Sequence, residues 1–480
     1  MKKFVKKFAA AGLAATMMLG TVTAVAAPYV PLRTTAYDNG FAVEWDGNNQ
    51  AVILTNEAGV THTVSLAGSG GFNRDGRVHI PVSYAMELFG EGGHGLMALN
   101  IAYYMSRNLP YRASFSYREQ ESAQWIAQEL LDMGFSADQV QIQGFHYDDV
   151  SWFDPFHYGW DVAEYWGQRE NVTLRADRMS QNVILTIPGQ SDSFIVVGAH
   201  NDSYPSPGIS DNTAGIGLLM ESAYRMKDAD NYHTIKYVFF GAHELGNWGA
   251  LYFYNSLTQQ QQDNIVMMIN ADALVGGPYL MYSAATGVGP GFEALPFVVE
   301  AIAADVTEQI EGMVAQVGFE AALAMMELDG MGIESLEMLI QILVSQIAGE
   351  MPPVAVFAMW ETLSTPATAQ VDAIAANLNA QNNFDLMGIP YGVFCPVDHI
   401  VFLMDGHTVV YLAGLAHMPV AGDVMQFLAA HDPVNNIFGH FFHTADDNFD
   451  YIDALMPGMI QSNLRAFNLL LEEILLTQFN

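Results

Sequence analysis

Cysteine is nearly absent from this sequence of 480 residues, in which Cys395 is the only example. A lone cysteine cannot close an intrachain disulfide, so no disulfide framework holds the chain together. The chain has room for two domains. With 51% hydrophobic residues, it can also bury a sizeable core.

Positive charge is scarce as well. The chain has 17 lysines and arginines against 52 aspartates and glutamates, which gives a formal net charge of −35. Binding to nucleic acid requires a basic face, so we expect no nucleic-acid partner. The acidic balance favours solubility, a salty medium or basic partners, and we expect an acidic solvated surface.

A long uninterrupted apolar run is also missing. Glu472 and Glu473 interrupt the apolar residues near the C-terminus, so we expect no membrane span there. The chain opens with a basic stretch, a short apolar stretch and Ala24–Ala26, which is typical of a cleavage site. We therefore predict a signal peptide over residues 1–26. The protein would be secreted and extracellular, or associated with the cell surface.

Three apolar runs are typical of buried strands, namely Phe194–Val197, Ile235–Phe240 and Ile265–Ile269. Each run is followed by a residue that can bind a metal, and these residues are His200, Glu244 and Asp272. In open α/β sheets, ligands bind in the crevice beyond the carboxyl ends of the strands. We therefore expect the three side chains to emerge at one site.

The candidate ligands suit zinc. His200, Asp211, Glu244 and Asp272 offer imidazole and carboxylate groups and no thiolate, with manganese and cobalt as alternatives to zinc. A bridging carboxylate could hold two ions about 3.5–4 Å apart. Asp211 precedes an expected helix over Thr213–Lys227, whose first N–H groups could fix its side chain.

Five short motifs in this order resemble those of the M28 family of co-catalytic zinc peptidases: His200-x-Asp202, Asp211-Asn212, Gly-Ala-x-Glu244, Asn270-x-Asp272 and His443-Thr444-x-x-Asp447. The resemblance extends from about Arg118 to the C-terminus. It implies two zinc ions, whose ligands would be His200, Asp211 and Asp272 for one ion, and Asp211, Glu244 and His443 for the other. Asp202 would hydrogen-bond the ring of His200 and so support catalysis.

The sequence departs from the family at two positions. His243 stands where the family usually has the glutamate that acts as general base. Imidazole can accept a proton near neutral pH, so His243 could be a working base. It could instead be a metal ligand, or it could mark a loss of peptidase activity. Phe442 stands where several family members carry a tyrosine that can donate to the oxyanion.

Two further regions complete the domain organisation. Residues 27–91 resemble the N-terminal domain of copper amine oxidases, without a cluster of copper ligands, and contact with the cell wall is one role for such a module. The M28-like domain would occupy residues 92–480. It would contain a helical, methionine-rich insertion at about residues 291–381. A stretch around Asp398 and His399 also resembles the family, and we expect His399 to be structural or to support a ligand.

These observations predict an α/β fold with a mixed, largely parallel sheet flanked by helices and preceded by a small α+β module. We expect a secreted di-zinc aminopeptidase that releases N-terminal residues from peptides. The alternative is a catalytically impaired relative that binds peptides or proteins, or that acts at the cell surface through its N-terminal module. Carboxypeptidase and amide-cyclase chemistry stay open, because related folds host both.

Overall fold

The computed structural model describes residues 29–150, 166–287, 362–388, 398–416 and 439–479 together with Val314, apart from positions 39, 57, 75–76, 90–92, 167–168 and 170. The predicted signal peptide lies outside the described residues, as does most of the predicted insertion. The structure therefore tests neither of these two predictions in full.

The N-terminal module is built from two small antiparallel sheets, with strand orders β1-β6-β5 and β2-β3-β4. Its elements are β1 (Tyr29–Pro31), α1 (Leu32–Asp38), β2 (Phe41–Asp46), β3 (Ala51–Asn56), β4 (Thr61–Ser65), α2 (Leu66–Ser69), β5 (Phe72–Arg74), β6 (Arg77–Pro81) and α3 (Val82–Phe89). This is the expected α+β composition. The resemblance to copper amine oxidases stays a prediction.

The rest of the described chain is organised around a nine-stranded sheet of order β13-β12-β15-β11-β9-β10-β8-β7, in which β14 also pairs with β12. The strands are β7 (Val140–His146), β8 (Met179–Ile187), β9 (Ser191–His200), β10 (His233–Phe240), β11 (Ile265–Ala271), β12 (Tyr279–Gly287), β13 (Thr362–Leu363), β14 (Met387–Gly388) and β15 (Thr408–Leu415). The central pairs β10–β9, β9–β11 and β11–β15 are parallel. Antiparallel pairs flank them on both sides. The predicted mixed, largely parallel sheet is confirmed.

Helices cover both faces of this sheet. They are α4 (Leu96–Asn108), α5 (Tyr117–Asp132), α6 (Tyr147–Val150), α7 (Ala214–Met226), α8 (Trp248–Ser256), α9 (Gln259–Asp263), α10 (Pro366–Asn382), α11 (Ile400–Met404), α12 (Phe449–Leu455) and α13 (Met459–Leu476). Alternate residues of β9 face opposite sides, because successive strand side chains point in opposite directions. Ile195 joins the apolar cluster that contains α4, α7 and α13, whereas Val196 joins the one that contains α8 and α11.

The N-terminal module shares the larger of these clusters. Val30 and Ile80 of the module belong to the same group of contacting buried side chains as Leu96 and Leu464 of the main body. Helix α3 also packs against α4. The module is therefore joined to the main body by buried apolar contacts as well as by the chain.

Helix α10 and β13 are described elements within the range of the predicted insertion, which stays a prediction. Val371, Ala375 and Leu378 bury the inner face of α10 in the same large cluster. Among the described residues, no helix has the length and apolar character that crossing a membrane would require.

Candidate metal centre

Three neighbouring parallel strands deliver the central residues of the site. His200 is the last residue of β9, Glu244 follows β10 after a short turn, and Asp272 comes directly after β11. Because these strands run parallel, their carboxyl ends lie at one edge of the sheet. The structure therefore brings together the side chains that the sequence placed at one site.

Asp211 lies between two histidines. His200 Nε2 is 2.9 Å from Asp211 Oδ1, and His443 Nε2 is 2.9 Å from Asp211 Oδ2. Asp272 Oδ1 lies 3.4 Å from His200 Nε2, and Glu244 Oε2 lies 3.7 Å from His443 Nε2. Ligand atoms of His200, Asp211 and Glu244 lie within 4.8 Å of one another. Asp272 joins this site through His200, and His443 joins it through Asp211 and Glu244.

The chemistry of these atoms fits divalent cations. His200, Asp211 and Asp272 are buried, and the short contacts of His200 Nε2, Asp211 Oδ2 and Asp272 Oδ1 within the described chain do not have the geometry of hydrogen bonds. Burial and the nearby Asp211 raise the pKa of Glu244 well above its usual value. Burying several carboxylates without a compensating charge is costly, and bound cations would supply that charge. Histidine and carboxylate without thiolate suit zinc.

The carboxylate of Asp202 has a different partner from the one predicted. His200 Nδ1 is 3.1 Å from the backbone carbonyl of Asp202, whereas the carboxylate lies 3.6 Å from that nitrogen. The two carboxylate oxygens instead accept hydrogen bonds from the backbone N–H groups of His243 and Glu244 at 3.0 and 3.1 Å. The side chain of Asp202 therefore fixes the turn after β10, while its backbone carbonyl contacts the histidine ring.

The predicted role of helix N–H groups at Asp211 is wrong. The side chain that serves the first turn of α7 is Asn212, whose Oδ1 accepts from Gly215 N at 3.1 Å. The backbone of Asp211 is held by Asp447, whose carboxylate accepts from Ser210 N at 2.8 Å and from Asp211 N at 3.2 Å. These contacts leave the carboxylate of Asp211 facing the two histidines.

Glu119 is a positioning residue that the sequence did not reveal. Its Oε1 accepts from Ala242 N at 2.8 Å, and its Oε2 accepts from Phe115 N at 2.6 Å. Ala242 has a φ of 52°, a left-handed conformation that is costly for any residue other than glycine. Glu119 thus helps to hold the turn that presents His243 and Glu244.

His243 lies in the centre of the site. Its ring stacks on His200, with centroids 3.9 Å apart and planes 9° apart, and its Nδ1 is 3.1 Å from Asp398 Oδ2. Burial and His200 lower the pKa of His243, but Asp398 and Asp272 outweigh them and raise it to about 9. His243 also forms a possible ligand group with His200 and Asp272. The geometry therefore keeps the predicted roles of base and ligand both open.

Two aromatic residues contact His443. The ring of Tyr204 stacks on it at 4.8 Å and 16°, and Phe442 lies 4.5 Å away at 35°. The backbone N–H of Tyr204 also donates to Glu244 Oε1. Phe442 thus borders the site, and its phenyl ring offers no hydroxyl to an oxyanion. Tyr204 did not stand out in the sequence, because it belongs to a loop without a ligand motif of its own. Asp398 lies in the stretch that resembles the family, but its contact with His243 was not predicted.

Comparison with known proteins supports these findings at the level of a domain. Residues 182–322 match peptidase family M28. A probable lipoprotein aminopeptidase of Mycobacterium tuberculosis is 33% identical over 116 residues, which cover 22% of this chain and 23% of the relative. Aminopeptidase YwaD of Bacillus subtilis is 30% identical over 113 residues, covering 22% of this chain and 25% of the relative.

The alkaline phosphatase isozyme conversion protein of Escherichia coli is 25% identical over 189 residues, which cover 36% of this chain and 50% of the relative. The chain thus spans half or less of the length of these three relatives. Among solved structures, a zinc aminopeptidase of Bacillus subtilis aligns over 80% of this chain and 96% of its own, with 12% identity and a TM-score of 0.48.

A glutaminyl cyclase of Porphyromonas gingivalis aligns over 79% of this chain and 97% of its own, with 14% identity and a TM-score of 0.42. Both TM-scores are below 0.5, so neither likeness bears on activity. The family match and the named relatives lead to one conclusion: residues 182–322 of this chain are similar to peptidase family M28.

Proposed function

We propose that the chain is a secreted aminopeptidase that depends on two zinc ions. The observation that carries this proposal is the placement of Asp211 between His200 and His443, at 2.9 Å from each. One carboxylate with an imidazole at each oxygen suits a bridged pair of ions. The M28 match and the aminopeptidase names of several relatives support the peptidase class.

In this proposal, His200, Asp211 and Asp272 would hold one ion, and Asp211, Glu244 and His443 would hold the other. Zinc, when bound, supplies Lewis acidity toward the scissile carbonyl and lowers the pKa of water. The turn held by Asp202 and Glu119 sets the position of His243 and Glu244 relative to these ligands.

His243 is the group that would accept a proton from the attacking water. Asp398 is buried and faces its Nδ1, which orients the ring and leaves Nε2 as the basic atom. Nearby cations disfavour a positively charged imidazole, so metal loading lowers the pKa of His243 from its metal-free value. The ring can then take up a proton at neutral pH.

A second candidate function is peptide or protein binding without catalysis. The observation that favours it is the same contact between His243 and Asp398, because a permanently protonated imidazole beside a buried carboxylate would be an ion pair rather than a base. Such a protein would keep the metal centre and bind peptide amines or carbonyls without cleaving them.

The deciding experiment measures hydrolysis of leucine p-nitroanilide and leucinamide by residues 27–480 after chelation and after return of zinc. We expect activity only with zinc, at two ions per chain. The variant His443→Ala should lose zinc and activity. His440→Ala is the matched control, since His440 lies three residues away and bonds Tyr451 instead of the ligands. Binding of leucinamide without turnover would favour the second candidate.

We further infer that the protein is exported and that its N-terminal module contacts the cell wall. The support for export is the basic and apolar start of the sequence with its Ala24–Ala26 site. The wall contact is inferred from the resemblance of residues 27–91 alone. Sequencing the N-terminus of protein from the culture medium should give Ala27 as the first residue. Recovery of the full chain in cell walls and not in the medium would place it at the surface.

A further inference from the structure

One stack of side chains leads from a candidate metal ligand to an exposed cation. The ring of Tyr204 lies on His443 at 4.8 Å, and the guanidinium carbon of Arg169 lies 4.7 Å from the centre of the Tyr204 ring. Trp166 meets Tyr204 edge-on at 5.4 Å, and Arg169 lies 5.8 Å from its ring. Trp166 is fully buried and Arg169 is exposed, so one end of the stack lies in the protein interior and the other faces solvent.

The charge at this end is opposite to that of the site itself. The side chains that converge around His243 and the candidate ligands are rich in carboxylates, namely Asp202, Asp211, Glu244, Asp272 and Asp398. The chain as a whole carries a formal charge of −35. A substrate with a negative group would be repelled by most of this surface. Arg169 offers such a group a local attraction.

The geometry points to a carboxylate-binding subsite at Arg169. We propose that its guanidinium binds a carboxylate of the peptide substrate, located one or two residues beyond the scissile bond. This inference rests on the aminopeptidase activity proposed above. One extended residue spans about 3.3–3.6 Å, so a peptide whose scissile carbonyl lies beside His443 reaches the stack within one or two residues.

Arginine suits this task better than lysine would. The guanidinium is planar and presents several N–H groups, two of which can bind both oxygens of one carboxylate. Contact with the rings of Tyr204 and Trp166 limits the motion of the group, which reduces the entropy lost on binding. The carboxylate can come from the C-terminus of a short peptide or from an acidic side chain.

Matched substrates separate these two sources. Leu-Gly and its amide Leu-Gly-NH2 differ only in the terminal carboxylate, whereas Leu-Glu-NH2 and Leu-Gln-NH2 differ only in the side-chain carboxylate. The measured quantity is kcat/KM of the zinc-loaded enzyme for all four peptides and for leucine p-nitroanilide. The variants are Arg169→Gln and Arg169→Lys. Arg178→Gln is the matched control, since Arg178 stacks in the same way at 4.2 Å on Tyr147, whose ring contacts Phe115 and Trp248.

We expect wild type to prefer the charged member of one pair, and the pair that shows the preference identifies the source. Arg169→Gln should reduce kcat/KM for that member by about 5- to 50-fold, as for loss of a charge-assisted hydrogen bond at a partly exposed site. The neutral peptide and leucine p-nitroanilide should be cleaved as before. Arg169→Lys should keep part of the preference, and Arg178→Gln all of it.

Equal losses for charged and neutral peptides in Arg169→Gln would overturn the inference, because they would show that Arg169 only supports the Tyr204 ring. The absence of any preference in wild type would overturn it as well, while the proposed function would stand. If wild type cleaves none of the substrates, the proposed function fails. In that case, calorimetry measures the affinities of wild type and Arg169→Gln for Leu-Gly, Leu-Glu-NH2 and their neutral partners. A loss of affinity confined to the charged peptide supports the inference, and an equal loss for the charged and neutral peptides overturns it.

Discussion

His243 Nδ1 lies 3.1 Å from Asp398 Oδ2, while the same imidazole ring stacks on His200 at 3.9 Å. The carboxylate of Asp398 is fully buried. One histidine is thus held between a candidate zinc ligand and a buried carboxylate. The following predictions distinguish the roles that this position allows.

Replacement of His243 by alanine should lower kcat by about 10²- to 10⁴-fold with both zinc ions retained, if the ring is the general base. His243→Glu would restore the family's usual base and should keep or raise activity. Steady-state kinetics together with metal analysis of each variant provide the check. Loss of one zinc ion from His243→Ala would show instead that the histidine is a ligand, and full activity with both ions would exclude both roles.

Replacement of Asp398 by asparagine should lower kcat by about 10- to 100-fold, because an amide holds the imidazole less firmly and tolerates the wrong tautomer. Zinc content should not change. Asp405→Asn is a suitable control, since Asp405 bonds Tyr254 and is not among the groups that form the metal centre. An Asp398→Asn enzyme with wild-type kcat would show that the contact does not assist turnover.

Zinc binding at pH 7.5 should release a proton from His243. In the metal-free protein its pKa is about 9, so the ring is protonated, and the incoming cations disfavour that charge. Calorimetry in buffers of different ionisation enthalpy should detect about one more proton released by wild type than by His243→Gln. Equal proton release from both proteins would contradict this expectation.

The same pKa fixes the direction of a stability change. The pKa of His243 is about 9 in the folded metal-free protein and about 6.5 in the unfolded chain. Its contribution to stability is therefore complete at pH values below about 6.5, and it is lost as the pH rises through about 9. Urea unfolding of metal-free wild type and His243→Gln should therefore show a difference in unfolding free energy that shrinks between these two pH values.

Glu221 should contribute to the stability of the fold and not to catalysis. Its carboxylate accepts from Gly95 N at 2.9 Å and from Ala98 N at 2.8 Å, at the start of α4, and it is buried. Glu221→Ala leaves both N–H groups without this acceptor and should lower the free energy of unfolding by about 2–4 kcal/mol. The exposed Glu121, which pairs with Arg118 on the surface, serves as control; Glu121→Ala should cost less than about 1 kcal/mol.

The fold was predictable because buried parallel strands appear as continuous apolar runs, which mark their own ends. Ile235–Phe240 is one such run, and it lies within β10. The ligands that follow these runs could therefore be assigned to one edge of a sheet. His443 was found only through its resemblance to a family motif, since no strand leads directly to it.

What escaped prediction depends on contacts between distant segments. The resemblance to the family implied that the carboxylate of Asp202 bonds the ring of His200, but this carboxylate accepts hydrogen bonds from two N–H groups of the turn after β10. Glu119 is on α5, far from that turn in sequence, and no periodic pattern reveals such a partner. Asp398 was part of a recognised stretch, yet its contact with His243 depends on how the segment before α11 folds back.

The buried contacts between the N-terminal module and the main body have a consequence for orientation. Because Val30 and Leu464 belong to one apolar cluster, the module cannot swing about its connection without exposing that cluster to water. Any surface that binds the module would therefore also determine which way the partly exposed side chain of His443 faces. The way the module binds would then set both the attachment of the protein and the direction from which substrate reaches the site. A long flexible tether in place of the module would attach the protein without fixing that direction.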